Sequence, residues 1–226
     1  MSTLENSTNP AGPLREKIAA WSKKHASEYP AEIIKLFADK SEEVLKSGIL
    51  SATPKAGDEI PDFTLESSCS ENIRLSDQLQ SGPVILNFYR GSWCHFCTLE
   101  FQSLLESLPR FRSHGSSILA ISPQVVDTNE LPAEVGGDFI NLKDLGNRVA
   151  RQFGLVYPLG EQIRKVYQDL GVYLEVLNED DSYEVPVPAS YLVDRDRIVR
   201  YAFASADLTE RAEPEVLLGE LAKLAT

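Results

Sequence analysis

Cysteine, histidine and methionine are scarce in this chain, whose 226 residues include three cysteines, three histidines and one methionine. Cys69, Cys94 and Cys97 are too few for a disulfide framework. A structural zinc site needs a second close pair of ligands, and His25, His95 and His114 are scattered, so no metal is expected. Long apolar runs are absent too, which excludes a membrane-spanning helix. The start, MSTLENSTNPAGPLREK, has no apolar core behind a basic flank; no leader is read there, and a cytoplasmic location is expected. Positive charge is in deficit, with 22 Lys and Arg against 34 Asp and Glu and a formal net charge of −12. Such a surface repels phosphate backbones and anionic lipid, so neither nucleic acid nor membrane is an expected partner. No glycine-rich phosphate cradle is present, and no cofactor is expected.

What remains has the make-up of a globular protein: 42% hydrophobic and 25% charged residues. Residues 1–12 are rich in Ser, Thr, Asn, Pro and Gly and are expected to lack fixed structure. Two amphipathic patterns, over 13–26 and 31–46, predict a helical hairpin that ends at Gly48 and packs either on the main domain or on a second copy of the chain in a homodimer. Residues 1–54 are therefore read as a helical extension and 55–226 as an α/β domain. Within that domain, DFTL and NIRL predict a short hairpin, PVILNFY a buried strand, CTLEFQSLLESLPRF a helix and SSILAIS a second strand parallel to the first. DFINL predicts a third strand, and LGNRVARQFG a short helix closed by Gly154. Residues 155–186 read as an insertion with one helix and an acidic loop. ASYLVD and IVRYAF predict a closing hairpin, and Pro214 opens a last helix. The expected architecture is a mixed central sheet flanked by helices.

The chemistry concentrates in FYRGSWCHFCTLEF, residues 88–101, at the carboxyl end of the first buried strand, where open α/β sheets present their sites. Cys94 and Cys97 fall at the predicted helix start, where free N–H groups and the helix dipole favour a thiolate. Residues so spaced on a first turn can also close into a disulfide. His95 is a candidate to tune the thiolate, Trp93 forms an apolar wall, and Tyr89 and Arg90 are candidates to contact substrate. Cys69, in the polar stretch ESSCSEN, is read as an incidental exposed thiol.

The stretch GPVILNFYRGSWCHFCTLEF resembles the peroxiredoxin-like proteins of the alkyl hydroperoxide reductase/thiol-specific antioxidant family, within the thioredoxin fold. AGDEIPDFTL, LKDLGNRVARQFGL and VPVPASYLVDRDRIVRYAF resemble further segments of that family, so the likeness runs from Lys55 to the C-terminus. It implies a thioredoxin-like fold and a thiol peroxidase acting on hydroperoxides. In the peroxiredoxin register Cys97, followed by Thr98 and Glu100, is the peroxide-attacking sulfur, with Cys94, in the place of a family Thr, as its resolving partner. An external thiol such as thioredoxin or glutathione would restore the pair. Trp93-Cys94-His95-Phe96-Cys97 also resembles the thioredoxin motif, which implies a disulfide substrate and Cys94 as nucleophile. Pro188 stands where peroxiredoxins carry a thiolate-stabilising Arg and resembles the cis-proline of thioredoxins, while Arg90 is a candidate for the missing positive charge. A redox-sensing module that docks a partner on oxidation is a third reading, motivated by the absent Thr and Arg.

Overall fold

The structure is a computed structural model that describes residues 12–126, 131–132 and 134–224. Its first eleven residues, which carry nearly all of the expected unstructured start, lie outside that description. Helices α1 (Leu14–His25) and α2 (Ala31–Lys46) come first, followed by β1 (Thr64–Ser67), β2 (Asn72–Arg74), α3 (Leu75–Ser81) and β3 (Val84–Phe88). Next are α4 (His95–Ser113), β4 (Ser117–Ser122), β5 (Glu134–Val135), β6 (Phe139–Lys143), α5 (Arg148–Gln152), β7 (Val156–Pro158), α6 (Glu161–Asp169) and α7 (Leu174–Leu177). The chain closes with β8 (Glu184–Pro186), β9 (Ala189–Val193), β10 (Val199–Ala204) and α8 (Pro214–Leu224).

The main sheet runs β10-β9-β3-β4-β6-β1-β2, with β5 added against β6. Its centre is parallel, β3 with β4 and β4 with β6, and its flanks are antiparallel. This is the mixed, thioredoxin-like arrangement expected from the sequence, with the crossover supplied by α4. Strand β3 is buried on both faces, which is why it reads as an unbroken apolar run. Val84, Leu86 and Phe88 face the core that contains Phe153 and Tyr191. Ile85 and Tyr89 face the opposite core, formed with Phe101, Leu104 and Phe111 of α4 and Leu217 and Leu221 of α8. By the same alternation Asn87 points to the α4 side, a buried amide in an otherwise apolar strand.

NIRL proves shorter as a strand than expected: Leu75 turns inward as the first residue of α3, a helix not anticipated from the sequence. Between Leu155 and Pro186 the chain forms more than one helix and a loop, because β7 and β8 pair with each other and bracket α6 and α7.

The two N-terminal helices lie on the domain that follows. Lys17, 2% exposed, donates to Ser103 Oγ at 3.3 Å and to Glu106 Oε2 at 2.6 Å on α4. The N-terminal N–H groups of Leu14 and Arg15 both donate to the Glu213 carboxylate at 2.9 Å, filling the place of a cap that Pro13 cannot supply. Helix α2 is held by buried Val44 and by Phe37, whose ring lies 5.6 Å from that of Tyr167 on α6. Lys17→Met keeps the side-chain length and removes the buried cation, and is expected to lower stability in urea by about 1–2 kcal/mol. Faster amide exchange along α1, measured in the same variant, is the local signature.

Candidate active site

The approach to α4 is set by Gly91, whose φ of 145° lies in the region that side chains avoid. A Cβ there would also come within 2.3 Å of Trp93 Nε1 and 2.7 Å of Gln124 Oε1. This tight passage leaves Cys94 as the N-cap of α4 in extended conformation, with no side-chain cap bond. Its sulfur therefore stands at the positive end of a helix of 19 residues. The Thr98 hydroxyl is committed to the carbonyls of Ser92 (3.1 Å) and Cys94 (3.3 Å), so it secures the turn rather than meeting the sulfurs.

Cys94 and Cys97 are free thiols, 4% and 1% exposed, and the Cys97 S–H donates to Cys94 Sγ at 3.0 Å. Arg90, itself 3% exposed, donates from Nη2 to Cys94 Sγ at 3.0 Å and from Nη1 to the Tyr167 hydroxyl at 3.0 Å. Its guanidinium also lies 5.0 Å from the Trp93 ring centroid, and Trp93 meets Tyr167 edge-on. Burial pushes the Tyr167 hydroxyl up, so it meets Arg90 uncharged. Burial alone would also raise the Cys94 thiol, but the Cys97 hydrogen bond and the charges of Arg90 and Arg211 outweigh it and hold Cys94 well below the ordinary thiol range. Burial and the neighbouring Cys94 push Cys97 well above that range. The two sulfurs are thus biased in opposite directions, Cys94 toward the thiolate and Cys97 toward the protonated thiol.

Behind Cys97 lies a polar network inside the α4 core. Arg211 Nε donates to Glu100 Oε2 at 2.8 Å, a pair whose side chains are 1% and 2% exposed. Asn87 Nδ2 donates to the other Glu100 oxygen at 2.9 Å and to Ser190 Oγ at 3.1 Å. Arg211 Nη2 also approaches Cys97 Sγ at 3.8 Å. Burial pushes the Glu100 carboxyl up, against the Arg211 charge and the Asn87 amide.

Of the residues singled out in the sequence, Cys94, Cys97, Arg90, Trp93 and Glu100 converge. His95 is exposed and stacks toward Trp21 at 4.9 Å, at the mouth of the site. Tyr89 packs in the α4 core with both cysteines, but its hydroxyl donates to Asn141 at 2.6 Å, away from the sulfurs. Pro188 is joined by a trans peptide bond, contrary to its likeness to a cis-proline. It is buried at the entry to β9, where its carbonyl accepts from Ser205 and the next residue, Ala189, pairs with Phe88. Arg211 carried no sequence signal of its own beyond a family arginine missing at Pro188; it reaches the site from the segment before α8. Cys69 is exposed and lies on the β1–β2 turn, away from the pair.

Cys94 lines a cleft of about 750 Å³ whose wall includes Trp21 and His25 of α1, Phe37 of α2, Phe96 of α4 and Leu170 after α6. Cys97 is not part of that wall. The helical extension therefore forms one side of the approach to Cys94. Among the described residues no cluster of His, Cys, Asp and Glu is able to hold a metal. Nor is any helix long and apolar enough to cross a membrane.

Residues 56–202 match the AhpC/TSA family. The chain belongs to that family. The putative peroxiredoxin bcp of Buchnera aphidicola is 32% identical over 124 residues, 54% of this chain and 75% of that protein. Thiol-disulfide oxidoreductase ResA of Bacillus thuringiensis is 28% identical over 141 residues, 62% of this chain and 64% of ResA. Among solved structures, peroxidoxin BcpB of Mycobacterium tuberculosis aligns over 76% of this chain and 99% of its own, with a TM-score of 0.54 and 23% identity. This AhpC/TSA member thus shares its fold with a peroxidoxin and is similar in sequence, over part of its length, to proteins of two names, a putative peroxiredoxin and a thiol-disulfide oxidoreductase.

Three outcomes follow from the geometry. In the reduced protein Cys94 is expected to alkylate with iodoacetamide well below pH ~8.5, the ordinary thiol value, and Cys97 only above it. Arg90→Met should slow Cys94 alkylation at neutral pH by about tenfold. Arg211→Met leaves Glu100 buried without its counter-ion and should cost about 3–5 kcal/mol in denaturant unfolding; adding Glu100→Gln should recover much of that loss.

Proposed function

We propose that this AhpC/TSA protein is a dithiol peroxidase in which Cys94 is the attacking sulfur and Cys97 resolves. The observation that carries this reading is the buried Arg90 guanidinium, which pairs with no carboxylate among the described residues and donates instead to Cys94 Sγ at 3.0 Å. A buried cation costs several kcal/mol unless an anion accompanies it, and a Cys94 thiolate is the anion at hand. This reverses the roles expected from the peroxiredoxin register, in which Cys97 attacks. The reason is positional: Cys97 lies one turn into the helix, has its proton held on, and does not line the cleft.

Cys94 Sγ attacks one peroxide oxygen, so that an S–O bond forms, the O–O bond breaks, and the departing oxyanion leaves with the proton that Cys97 gives up. The Cys97 thiolate then attacks the Cys94 sulfenic acid, forming the disulfide and expelling hydroxide. Arg90 is placed to donate to the oxyanion as it departs, a preorganised charge in a dry site. An external thiol returns the pair to its reduced state. Disulfide formation removes the thiolate and strands Arg90, which stabilises the reduced form and suits a strong oxidant such as a hydroperoxide as the electron acceptor.

Thiol–disulfide exchange by the same Cys94 is the second reading, favoured by the Trp93-Cys94-His95-Phe96-Cys97 order and the likeness to ResA. Treating Cys97→Ser with one equivalent of hydrogen peroxide and mapping the product by mass spectrometry tests both. Sulfenic acid on Cys94, with peroxide consumption abolished in Cys94→Ser, is expected. Wild-type peroxide reactivity of Cys97 in the Cys94→Ser variant would return the attack to Cys97. No peroxide consumption by the wild type, together with a trapped mixed disulfide at Cys94, would favour exchange.

A further inference from the structure

We infer that the electrons which restore the Cys94–Cys97 pair come from a small dithiol carried on an apolar aliphatic or aromatic body, seated in the cleft between the helical extension and Cys94. The inference rests on the reading above only in that Cys94 is the accessible sulfur of the pair. A thiolate attacks a disulfide along the S–S axis, from the side opposite the leaving sulfur, and access governs which sulfur is hit. Because Cys94 lines the cleft and Cys97 does not, the incoming sulfur has to arrive through the cleft.

The cleft's walls specify what can arrive. Trp21, Phe37, Trp93, Phe96, Tyr167 and Leu170 make it predominantly aromatic and apolar, with Arg90 at its reactive end. A volume of about 750 Å³ suits a compact organic molecule and far exceeds what a simple peroxide fills. The extension is anchored by Lys17 and Glu213, so this wall is part of the folded domain and not an arm that swings clear for a protein partner. A multiply charged thiol such as glutathione would lose hydration against the aromatic walls and would approach a protein of net charge −12. Ser22 Oγ, also in the wall, is buried without a hydrogen-bond partner and offers one polar contact to such a guest. A dithiol completes the cycle alone. Its first thiolate attacks Cys94 Sγ, the S–S bond breaks, and Cys97 leaves with the incoming proton. The second thiol then attacks the mixed disulfide, releasing the Cys94 thiolate and a cyclic disulfide, so that the guest is oxidised by two electrons and the protein reduced by two.

Reduced lipoamide, a 1,3-dithiol on an apolar chain, and dithiothreitol, a 1,4-dithiol with two hydroxyls and no such chain, both close to cyclic disulfides, and reduction of the pre-oxidised protein can be followed by tryptophan fluorescence with no peroxide present. Reduced lipoamide is expected to act at least about tenfold faster, a difference of ~1.4 kcal/mol from buried chain. Glutathione and thioredoxin should both be slower than reduced lipoamide, and Phe37→Ala should shrink the lipoamide-to-dithiothreitol ratio. Equal rates for the two dithiols, or thioredoxin faster than lipoamide, would overturn the inference. Octanamide, which has no sulfur, should bind saturably to Cys94→Ser and more weakly once Phe37→Ala is added; absence of saturable binding also overturns it. Since no peroxide enters these measurements, failure of peroxidase turnover and failure of the apolar dithiol are read separately.

Discussion

A guanidinium buried with no carboxylate partner among the described residues is the constraint around which this protein is organised. Arg90 sits at the end of β3, 3% exposed, and its two Nη groups are spent on Cys94 and Tyr167. Such a cation is tolerable only beside an anion, and the thiolate at the N-terminus of α4 answers that need with help from the helix dipole. Gly91 makes the turn tight enough for the arginine to reach the sulfur four residues on, and Trp93 and Tyr167 close the ring around it.

A second buried arginine balances the first. Arg211 is neutralised by Glu100 and also faces Cys97, so two cations, one carboxylate and one thiolate share a single desolvated region. Burial, these charges and the 3.0 Å hydrogen bond between the sulfurs together push their acidities in opposite directions. The same network also ties the site to distant chain: Arg211 precedes α8, Ser190 lies on β9, and Asn87 on β3. The helical extension then confines the approach, so that chemistry set by charge is gated by apolar walls.

Much of the scaffold was legible from local pattern. The unbroken apolar run of β3, the leucine spacing of α4 and Pro214 at the start of α8 carry their structural meaning within a few residues, because burial and helix initiation are local demands. LSDQLQS was missed as a helix for the opposite reason: seven residues with two inward leucines give too short a period to distinguish from the end of a strand. The β7–β8 pairing was missed because its partners are separated by α6 and α7. The trans bond before Pro188 lay beyond any single-residue cue, since the isomer is a property of the packed strand entry.

Composition and motif by themselves determined that this is an α/β protein with a close cysteine pair at a helix start, since residue types and their spacing suffice for those statements. Which sulfur is favoured as the thiolate was a tertiary decision. Two cysteines three residues apart are nearly equivalent in sequence, and they become unequal when both are buried, hydrogen-bonded to each other and set beside Arg90 and Arg211. The cleft was likewise invisible in the chain, because its walls are drawn from α1, α2, α4 and α6, segments that meet only in the folded protein.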